Sequence, residues 1–440
     1  MHIPIAPPGE VTGSPIGGPS ATATTAAAGS AGIDFDRIRA TLMVLGIALH
    51  AADVFVSAGN WLVADTHRGV AFDALVALIH GFRVPGFFLL SGLLFAGSLT
   101  RHAAPDLALR QTVRLGVPLL TCWALLNAAQ TALLAWHSGG DPWAALASFS
   151  TPMSHLWFVR DLLVMNLLVL ACVAIRGVMP TRAAQAVARG IDARWMAPIA
   201  WIARIARKPA QRLTGFSDAA ATPTHWLTVA LVGALLSHAL LIVVRLSGLA
   251  YAPGPGGLTL FNLAFYAPMF LAGLTMRQHP TWLDAWLRTP WWLLPVAAFA
   301  ANWGDGASGT LPHALAREAA LAVELLGMWL ATGAAIGLLA RWRGRPHGGV
   351  GERLSRALAD ASYTIFLVHH LMVVALALLL LPLDWPAALK FALIACGTLA
   401  LSLAFHRWVV RPFAVTRLLF NGRLPAATQE RPVTPTPGRA

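Results

Sequence analysis

Two basic side chains stand eleven residues apart in the first long apolar stretch of the sequence, RIRATLMVLGIALHAADVF. At about 100° and about 1.5 Å per residue, a helix places Arg39 and His50 on one face, about 16 Å apart along its axis. A guanidinium binds carboxylates and phosphates, and an imidazole exchanges protons near neutral pH. The spacing therefore predicts a path for an anionic molecule that enters beside Arg39 and reaches inward to His50.

A structural role is the alternative for both residues. A histidine inside a membrane span often hydrogen-bonds to a neighbouring helix, and an arginine at a helix entrance often reaches the lipid headgroups. Asp53 lies one turn beyond His50, where its carboxylate could orient the imidazole. The same aspartate suits the outer end of the span equally well, so the spacing leaves both interpretations open.

The second apolar stretch carries His80 and Arg83 in its interior, just before Pro85 and Gly86. Ionisable groups in the middle of a span are unfavourable in hydrocarbon and commonly mark functional sites. Arg83 has no short route to the membrane interface, so we expect it to meet an anion or an acidic partner.

The segment SHLWFVRDLL opens a later apolar stretch with His155, Trp157 and Arg160. An aromatic belt at the membrane interface is the common meaning of tryptophan at such a place. The same residues suit a sugar, with Trp157 packing on a pyranose face while His155 and Arg160 bind hydroxyls. A structural ion pair between Arg160 and Asp161 is the alternative for the arginine.

Two adjacent histidines, His369 and His370, lie about ten residues into another apolar stretch. Because neighbouring helical residues point about 100° apart, we expect one ring to face the bundle and the other to pack elsewhere. The sequence contains no HExxH motif and no other cluster with metal-ligand spacing, so we predict no metal site.

Composition predicts the class of protein. Of the 440 residues, 57% are hydrophobic and 12% charged, and the mean hydropathy is +0.64, too apolar for a soluble chain of this length. The net charge of +13 could suggest nucleic acid, but the cations cluster in short connections between apolar runs. That is the pattern of a polytopic membrane protein, and nucleic acid is not an expected partner.

Ten apolar runs are long enough to cross roughly 30 Å of hydrocarbon. They lie near 38–57, 73–97, 111–136, 155–175, 225–248, 258–276, 289–303, 313–340, 359–381 and 386–410. Open sheets cannot satisfy their edges in lipid, so the expected fold is all-α, a bundle of about ten transmembrane helices. The run 289–303 is the weakest, being short and containing Pro295.

Counting cations in alternate connections predicts the topology. One set of connections holds 22 Lys and Arg residues, whereas the other holds only Arg68. The positive-inside rule then places both termini in the cytoplasm. We expect disordered cytoplasmic tails at 1–33 and 421–440 around a membrane domain at 34–420. Within it, 176–224 is a basic cytoplasmic loop whose predicted interfacial helix has a short core element as its alternative.

The stretch DRIRATLMVLGIALH resembles the opening signature of the integral-membrane acyltransferase 3 family, an Arg and a His separated by ten residues. The segments FFLLSGLLF, HLWFV and YTIFLVHH resemble later blocks of that family in the same order. The resemblance covers roughly 34–420 and is closest to the branch that succinylates osmoregulated periplasmic glucans. It implies transfer of an acyl group from a cytoplasmic acyl-CoA to a carbohydrate hydroxyl, in the bacterial inner membrane.

The resemblance also implies catalytic roles. His50 matches the family's essential histidine, Arg39 its arginine partner and Asp36 the acidic residue that commonly precedes that arginine. We expect His50 to act as general base, with an acyl-histidine intermediate as the alternative. His369 is expected to hydrogen-bond the substrate or its oxyanion.

Arginines are expected to recognise the acyl donor. Arg39 and the basic rim that includes Arg101 and Arg341 could hold the phosphates of CoA, since guanidinium pairs well with phosphate. Succinyl carries a distal carboxylate that needs a cation when buried, and we assign that role to Arg83. The expected donor is succinyl-CoA, or acetyl-CoA, and no tightly bound cofactor is expected.

The expected acceptor is a periplasmic glucan or another envelope carbohydrate, and the sequence is compatible with a homo-oligomer in the lipid bilayer. Within the enzyme class, O-acetylation of another envelope polysaccharide or of lipopolysaccharide is the alternative. In a different class, a bundle with interior His and Arg could transport an anionic or glycan solute. The sequence shows no internal repeat, which weakens the usual transporter signature of inverted halves.

Overall fold

The structure, a computed structural model, describes residues 33–148, 151–178, 225–308, 313–341 and 350–423. Within these ranges the chain is all-α and contains no strand, as predicted. The main helices are α1 (Phe35–Asp53), α2 (Val70–Leu99), α3 (Ala104–His137), α4 (Pro142–Ala147), α5 (Trp157–Val178), α6 (His225–Leu246), α7 (Leu260–Gln278), α8 (Pro280–Trp286), α9 (Leu294–Ser308), α10 (Ala314–Arg341), α11 (Val350–Leu380), α12 (Ala387–Phe405) and α13 (Ala414–Asn421).

Each of the ten predicted apolar runs coincides with one of these helices. Among the described residues, seven helices are long and apolar enough to cross a membrane: α2, α3, α5, α6, α10, α11 and α12. The other three are α1, which carries charged residues at both ends, α7, which contains Pro268 and carries Arg277 in its last turn, and α9, which has only 15 residues. The count of ten spans and the cytoplasmic location of the termini stay predictions.

Several predictions fall outside the described residues. They concern the N-terminal tail up to residue 32, the basic loop from 179 to 224 and the C-terminal tail from 424. The membrane domain predicted at 34–420 stays a prediction.

Helix α1 begins at a side-chain cap and then lies within the bundle. The carboxylate of Asp34 accepts a hydrogen bond from the backbone N–H of Arg37 at 3.0 Å, which satisfies one of the free donors of the first turn. Further along, α1 packs against α2, α11 and α12. The face that carries Arg39 and His50 is therefore surrounded by other helices.

Helices α2 and α7 cross at two glycines. A Cβ atom at Gly92 would overlap the carbonyl oxygen of Phe270, and one at Gly273 would overlap that of Leu89. The two backbones therefore approach more closely than any larger residue allows, which is the usual way that small residues bring membrane helices together.

Helix α3 contains two widened turns. π-helical turns occupy Thr112–Gly116 and Trp123–Asn127, with ordinary α-helix before, between and after them. Such turns insert one extra residue and shift the helical phase, and they occur often at functional sites. Arg114 in the first of them is exposed and lines a cavity, whereas Asn127 in the second is buried.

Large apolar side chains cover the outside of the bundle. Leu120, Leu235, Val243 and Leu379 are each more than half exposed, although they belong to helices that qualify as membrane spans. In water such a surface would be an aggregation hazard, whereas lipid tails solvate it.

Candidate functional site

Four imidazole rings meet inside the bundle. They belong to His50 on α1, His155 in the turn before α5, and His369 and His370 on α11. The His50 ring centroid lies 5.3 Å from that of His369 and 5.0 Å from that of His370. The corresponding distances from His155 are 5.2 Å and 4.7 Å. We call these four residues the histidine cluster.

The prediction that only one of His369 and His370 faces the bundle was wrong. Their ring centroids lie 6.3 Å apart, and the two ring planes meet at 88°. His50 and His155 each contact both rings, because α1 and the start of α5 pack over the face of α11 that lies between the two directions. Both adjacent histidines therefore belong to the cluster.

Backbone carbonyls fix which ring nitrogens carry hydrogen in the cluster. Nδ1 of His369 lies 2.7 Å from the carbonyl oxygen of Phe366, and Nε2 of His155 lies 3.3 Å from that of Leu367. A carbonyl only accepts, so these two nitrogens donate. In the neutral rings, Nε2 of His369 and Nδ1 of His155 are then acceptors, and both are buried without a hydrogen-bond partner among the residues that the structure describes.

This arrangement refines the role expected of His369. In its neutral tautomer the unpartnered Nε2 can accept a hydrogen bond from a substrate hydroxyl but cannot donate one to an oxyanion. His370 differs, because its Nδ1 lies 2.7 Å from Oε1 of Gln130 on α3.

His50 has a carboxylate partner on its own helix. Its Nδ1 lies 3.0 Å from Oδ2 of Asp53, so the structure supports the orienting role that the sequence left open for this aspartate. The rest of the imidazole is covered on one face by Trp61, whose ring is nearly parallel at 17° with centroids 6.1 Å apart. Nε2 is therefore the nitrogen of His50 that is available to a substrate.

Asn127 holds the segment that leads to His155. Its Nδ2 donates hydrogen bonds of 2.9 Å to the carbonyl oxygens of both Pro152 and Met153. The segment is tightly bent, since Ser154 has a φ of 42°, a left-handed value that is uncommon for a residue with a Cβ. The second widened turn of α3 thus helps to position His155.

Arg83 lies between Arg39 and His50 along α1. It is buried, and its Nε donates to the carbonyl oxygen of Leu42 at 3.2 Å. A Cβ atom at Gly46 would overlap its guanidinium, so this group lies directly against α1 one turn before His50. Arg83 is also close enough to interact electrostatically with Asp53.

A polar cavity of about 450 Å³ opens at the same end of the bundle as Arg39. Three arginines line it, Arg39 from α1, Arg114 from the first widened turn of α3 and Arg423 just after α13. We call this end of the bundle the basic end. Uncharged polar groups in the lining come from Ser91, Ser98, Gln111, Asn166, Ser362, Tyr363 and Asn421.

One layer of aromatic rings separates this cavity from the histidine cluster. The cavity reaches Met43, one turn beyond Arg39 on α1, and Phe158 on α5. Phe158 contacts Phe366 with centroids 5.7 Å apart, and Phe366 contacts His155 at 5.5 Å. The cavity and the histidine cluster are thus neighbours along α1, in the direction from Arg39 to His50.

The other residues predicted to bind the acyl donor do not all lie at this cavity. Asp36 forms an ion pair with Arg39 at 3.0 Å and so lies at the cavity through its partner. Arg101 and Arg341 are not among the lining residues, and Nη2 of Arg341 donates to the carbonyl oxygen of Leu287 at 2.7 Å. Their assignment to CoA binding stays a prediction.

The predicted sugar-binding residues are also separated. His155 belongs to the histidine cluster, whereas Trp157 packs on Tyr266 with centroids 5.4 Å apart. Arg160 pairs with Asp161 at 2.7 Å and donates to the carbonyl oxygen of Gly256, as in the structural alternative. These contacts tie α5 to the connection before α7.

Trp61 belongs to the connection between α1 and α2, which folds back over the far end of the bundle. The carboxylate of Asp65 anchors this connection through an ion pair of 2.7 Å with the ammonium of Lys390 on α12, and both side chains are buried. Burial alone would raise the pKa of Asp65, but hydrogen bonds from Lys390 and from the backbone of His67 hold that pKa below its ordinary value. We call the end that carries Trp61, Asp65 and Lys390 the far end.

Sequence reasoning missed Trp61, Gln130, Arg114 and Arg423. Gln130 was readable, since an amide within an apolar run is itself a sign of a polar partner. The other three depend on how the chain returns in space. Within the described part of the chain, no group of three or more His, Cys, Asp or Glu side chains has a geometry that could hold a metal ion.

The profile of the family described as Acyltransferase domain (Acyl_transf_3) matches residues 33–407, most of the chain. Three relatives from Escherichia coli are each 30% identical to this chain over 141 residues. All three are named "Glucans biosynthesis protein C" and come from strain K12, strain K12 / MC4100 / BW2952 and O1:K1 / APEC.

That match covers 30% of this chain and 36% of each relative, so the chain spans about a third of the length of these relatives. No solved structure matches the chain. The family resemblance inferred from the four sequence segments is confirmed by the profile.

Proposed function

Because the chain belongs to the Acyltransferase domain family, we propose that it moves a succinyl group from a cytoplasmic acyl-CoA to a hydroxyl of a periplasmic glucan. The relatives named for glucan biosynthesis favour this acceptor. The positive-inside count puts the basic end in the cytoplasm of a bacterium and the far end in its periplasm. The protein then lies in the inner membrane and joins a donor from one side to an acceptor from the other.

One observation carries the proposal, the pairing of His50 with Asp53 inside a cluster that also offers unpartnered acceptor nitrogens on His155 and His369. Buried acceptors without partners are unfavourable unless a donor arrives. A carbohydrate brings several hydroxyl donors, so it satisfies both nitrogens while placing another hydroxyl near His50.

The proposed reaction needs a base for a weak nucleophile. Nε2 of His50 takes the proton of the sugar hydroxyl as its oxygen attacks the carbonyl carbon of the thioester. The carbon–sulfur bond then breaks, and the proton on His50 passes to the departing thiolate to give free CoA. Asp53 accepts from Nδ1–H, which keeps the lone pair on Nε2 and stabilises the imidazolium between the two steps.

Arginines at the basic end would hold the donor. Guanidinium groups bind phosphate through paired, charge-assisted hydrogen bonds. Arg39, Arg114 and Arg423 line one cavity and so could bind the phosphates of CoA together. The pantetheine arm would extend past Met43 along α1, over the distance of about 16 Å that separates Arg39 from His50.

Arg83 is the proposed partner of the succinyl carboxylate. Its guanidinium lies against Gly46, four residues before His50, which is a rise of about 6 Å along the helix. Two methylene groups separate the carboxylate of a succinyl group from its thioester carbonyl, so one group could meet Arg83 while the other meets His50. Acetyl lacks the carboxylate and would gain nothing from this arginine.

Mass spectrometry of periplasmic glucans tests the function. Cells that make the protein should yield glucans with an added succinyl mass, and cells without it, or with His50→Ala, should not. Immunodetection in the membrane fraction shows whether that variant still inserts. Loss of an acetyl mass from the glucans or from lipopolysaccharide would replace the proposal with O-acetylation. Glucans and lipopolysaccharide of unchanged mass would overturn acyl transfer to either acceptor.

A further inference from the structure

The connection between α1 and α2 brings an indole ring onto His50. The Trp61 ring is nearly parallel to the imidazole, and it meets the ring of His370 edge-on at 67° with centroids 5.6 Å apart. Trp61 is half-buried, and 16% of the His50 side chain remains exposed. The indole therefore covers part of the histidine cluster at the far end without sealing it.

The connection is held firmly where it returns to the bundle. The backbone N–H of Asp65 donates to the carbonyl oxygen of Val54 at 2.9 Å, and that of Gly69 donates to Phe55 at 3.0 Å. Val63 is buried against α11 and α12. Together with the ion pair between Asp65 and Lys390, these contacts fix the position of Trp61 independently of any ligand.

The connection that carries Trp61 also carries exposed polar residues. Asn60, Thr66, His67 and Arg68 of the same connection are exposed. An aromatic face flanked by hydrogen-bonding groups suits a pyranose, because the apolar face of the sugar packs on the ring while its hydroxyls meet polar groups. No such surface was expected here from the sequence, which assigned sugar packing to Trp157.

We propose that Trp61 is the acceptor-docking residue of the site, on which the carbohydrate packs and which keeps water away from His50. This inference rests on the proposed function and adds a residue that decides the fate of the acyl group. If water replaces the sugar hydroxyl as nucleophile, the same carbon–sulfur bond breaks and the products are free succinate and CoA thiol. Excluding water from a closed site suppresses such hydrolysis.

The test uses the full chain in lipid nanodiscs with succinyl-CoA and glucan isolated from cells that lack the protein. Total CoA thiol released and succinyl bound to glucan are both measured, and their difference is hydrolysis. For Trp61→Ala we expect the KM for glucan to rise about 10-fold, as loss of an aromatic contact would produce. The hydrolysed fraction should rise with it, while the KM for succinyl-CoA stays unchanged.

A second substitution separates docking from simple bulk. Trp61→Phe keeps a ring and should retain most of the affinity for glucan, whereas Trp61→Leu keeps apolar volume without a ring and should lose it. Equal glucan KM values for these two variants would contradict the proposal even if Trp61→Ala fails to fold. The matched control is Trp143→Ala, since Trp143 is 77% exposed on α4.

The outcomes also distinguish failure of the role of Trp61 from failure of the proposed function on which that role rests. If the native protein transfers no acyl group to glucan, the proposed function fails. If the native protein transfers it but Trp61→Ala changes neither the glucan KM nor the hydrolysed fraction, only the role of Trp61 is lost. A fall in kcat alone, equal for water and for glucan, would make Trp61 a support for the His50 ring and would overturn acceptor docking.

Discussion

The Nδ1 atom of His50 lies 3.0 Å from Oδ2 of Asp53, one turn further along α1. A carboxylate only accepts hydrogen bonds, so this contact assigns the ring hydrogen to Nδ1 and leaves a lone pair on Nε2. The helix itself supplies this geometry, because residues three apart are neighbours on its surface. A pair on one rigid element holds its orientation without help from a loop.

Replacing Asp53 by asparagine should prevent His50 from acting as a base, although the imidazole itself stays in place. The amide can donate to Nδ1, which would move the ring hydrogen to Nε2 and leave no lone pair for the hydroxyl proton. We expect kcat for transfer to fall roughly 100-fold in Asp53→Asn, within the usual contribution of general base catalysis. Steady-state assay measures it, and Asp106→Asn, an exposed aspartate on α3, should retain native kcat. Native kcat in Asp53→Asn would remove Asp53 from the mechanism.

Gly46→Ala should alter the choice of acyl group. The added methyl overlaps the guanidinium of Arg83, which can move because it ends a flexible side chain. We expect the preference for succinyl-CoA over acetyl-CoA, measured as the ratio of kcat/KM values, to fall about 10-fold, as loss of one charged contact would produce. The control is Gly86→Ala, whose methyl would meet only ordinary contacts at 3.4 Å. An unchanged ratio in both Gly46→Ala and Arg83→Ala would refute the carboxylate role.

The arginines of the cavity should govern donor affinity. Arg39→Gln and Arg114→Gln are each expected to raise the KM for succinyl-CoA about 10-fold, because each removes a charge-assisted hydrogen bond to phosphate. Arg277→Gln, exposed at the end of α7, is the control. The same KM values are also measured with a donor made from dephospho-CoA, which lacks one phosphate. The variant whose arginine binds that phosphate should show the same KM as the native protein for this donor. The same assay with Arg101→Gln and Arg341→Gln decides whether the rim binds CoA.

The ion pair of Asp65 and Lys390 should make stability depend on pH. The pKa of Asp65 is held below its ordinary value, so its contribution is full above the unfolded carboxylate pKa near 4 and disappears as pH falls through the folded pKa. At pH 7 we expect Asp65→Asn to lower the free energy of unfolding by about 3 kcal/mol, because it leaves a buried ammonium unpaired.

Thermal unfolding of the full chain in detergent measures this effect. The difference between native protein and Asp65→Asn should shrink as the pH falls through the lowered pKa of folded Asp65, because the native carboxylate then also becomes neutral. Combining Asp65→Asn with Lys390→Met should restore much of the loss, since no buried charge then remains. A difference that grows on acidification would contradict the assigned ion pair.

Sequence reasoning succeeded where one helix contains the whole relationship. The angle and rise between Arg39 and His50 follow from helical geometry alone, and the apolar runs coincide with the helices because hydrocarbon-spanning segments must be both long and apolar. It failed at His369 and His370, because both rings belong to the histidine cluster. What the sequence could not supply was the position of α1 and α5 around them.

The cavity at the basic end shows the same limit. The basic end offers many arginines within a few residues of a helix terminus, and only packing decides that Arg114 and Arg423 line the cavity while Arg341 binds the carbonyl of Leu287. The contact of Trp61 with His50 could not be predicted from the sequence for a related reason. It follows His50 by eleven residues, but its contact depends on a connection whose path is set by a buried ion pair with α12.

The two widened turns of α3 change the direction in which the residues after them point about the helix axis. Each inserts a residue, and removing one would rotate everything beyond it by about 100°. Loss of the residue inserted at Thr112–Gly116 would turn Asn127 away from the carbonyls of Pro152 and Met153, and Gln130 away from His370. Helix α3 thus keeps the cavity-lining Arg114 in register with two buried amides, Asn127 and Gln130, and a regular helix of the same sequence would not present all three as they are here.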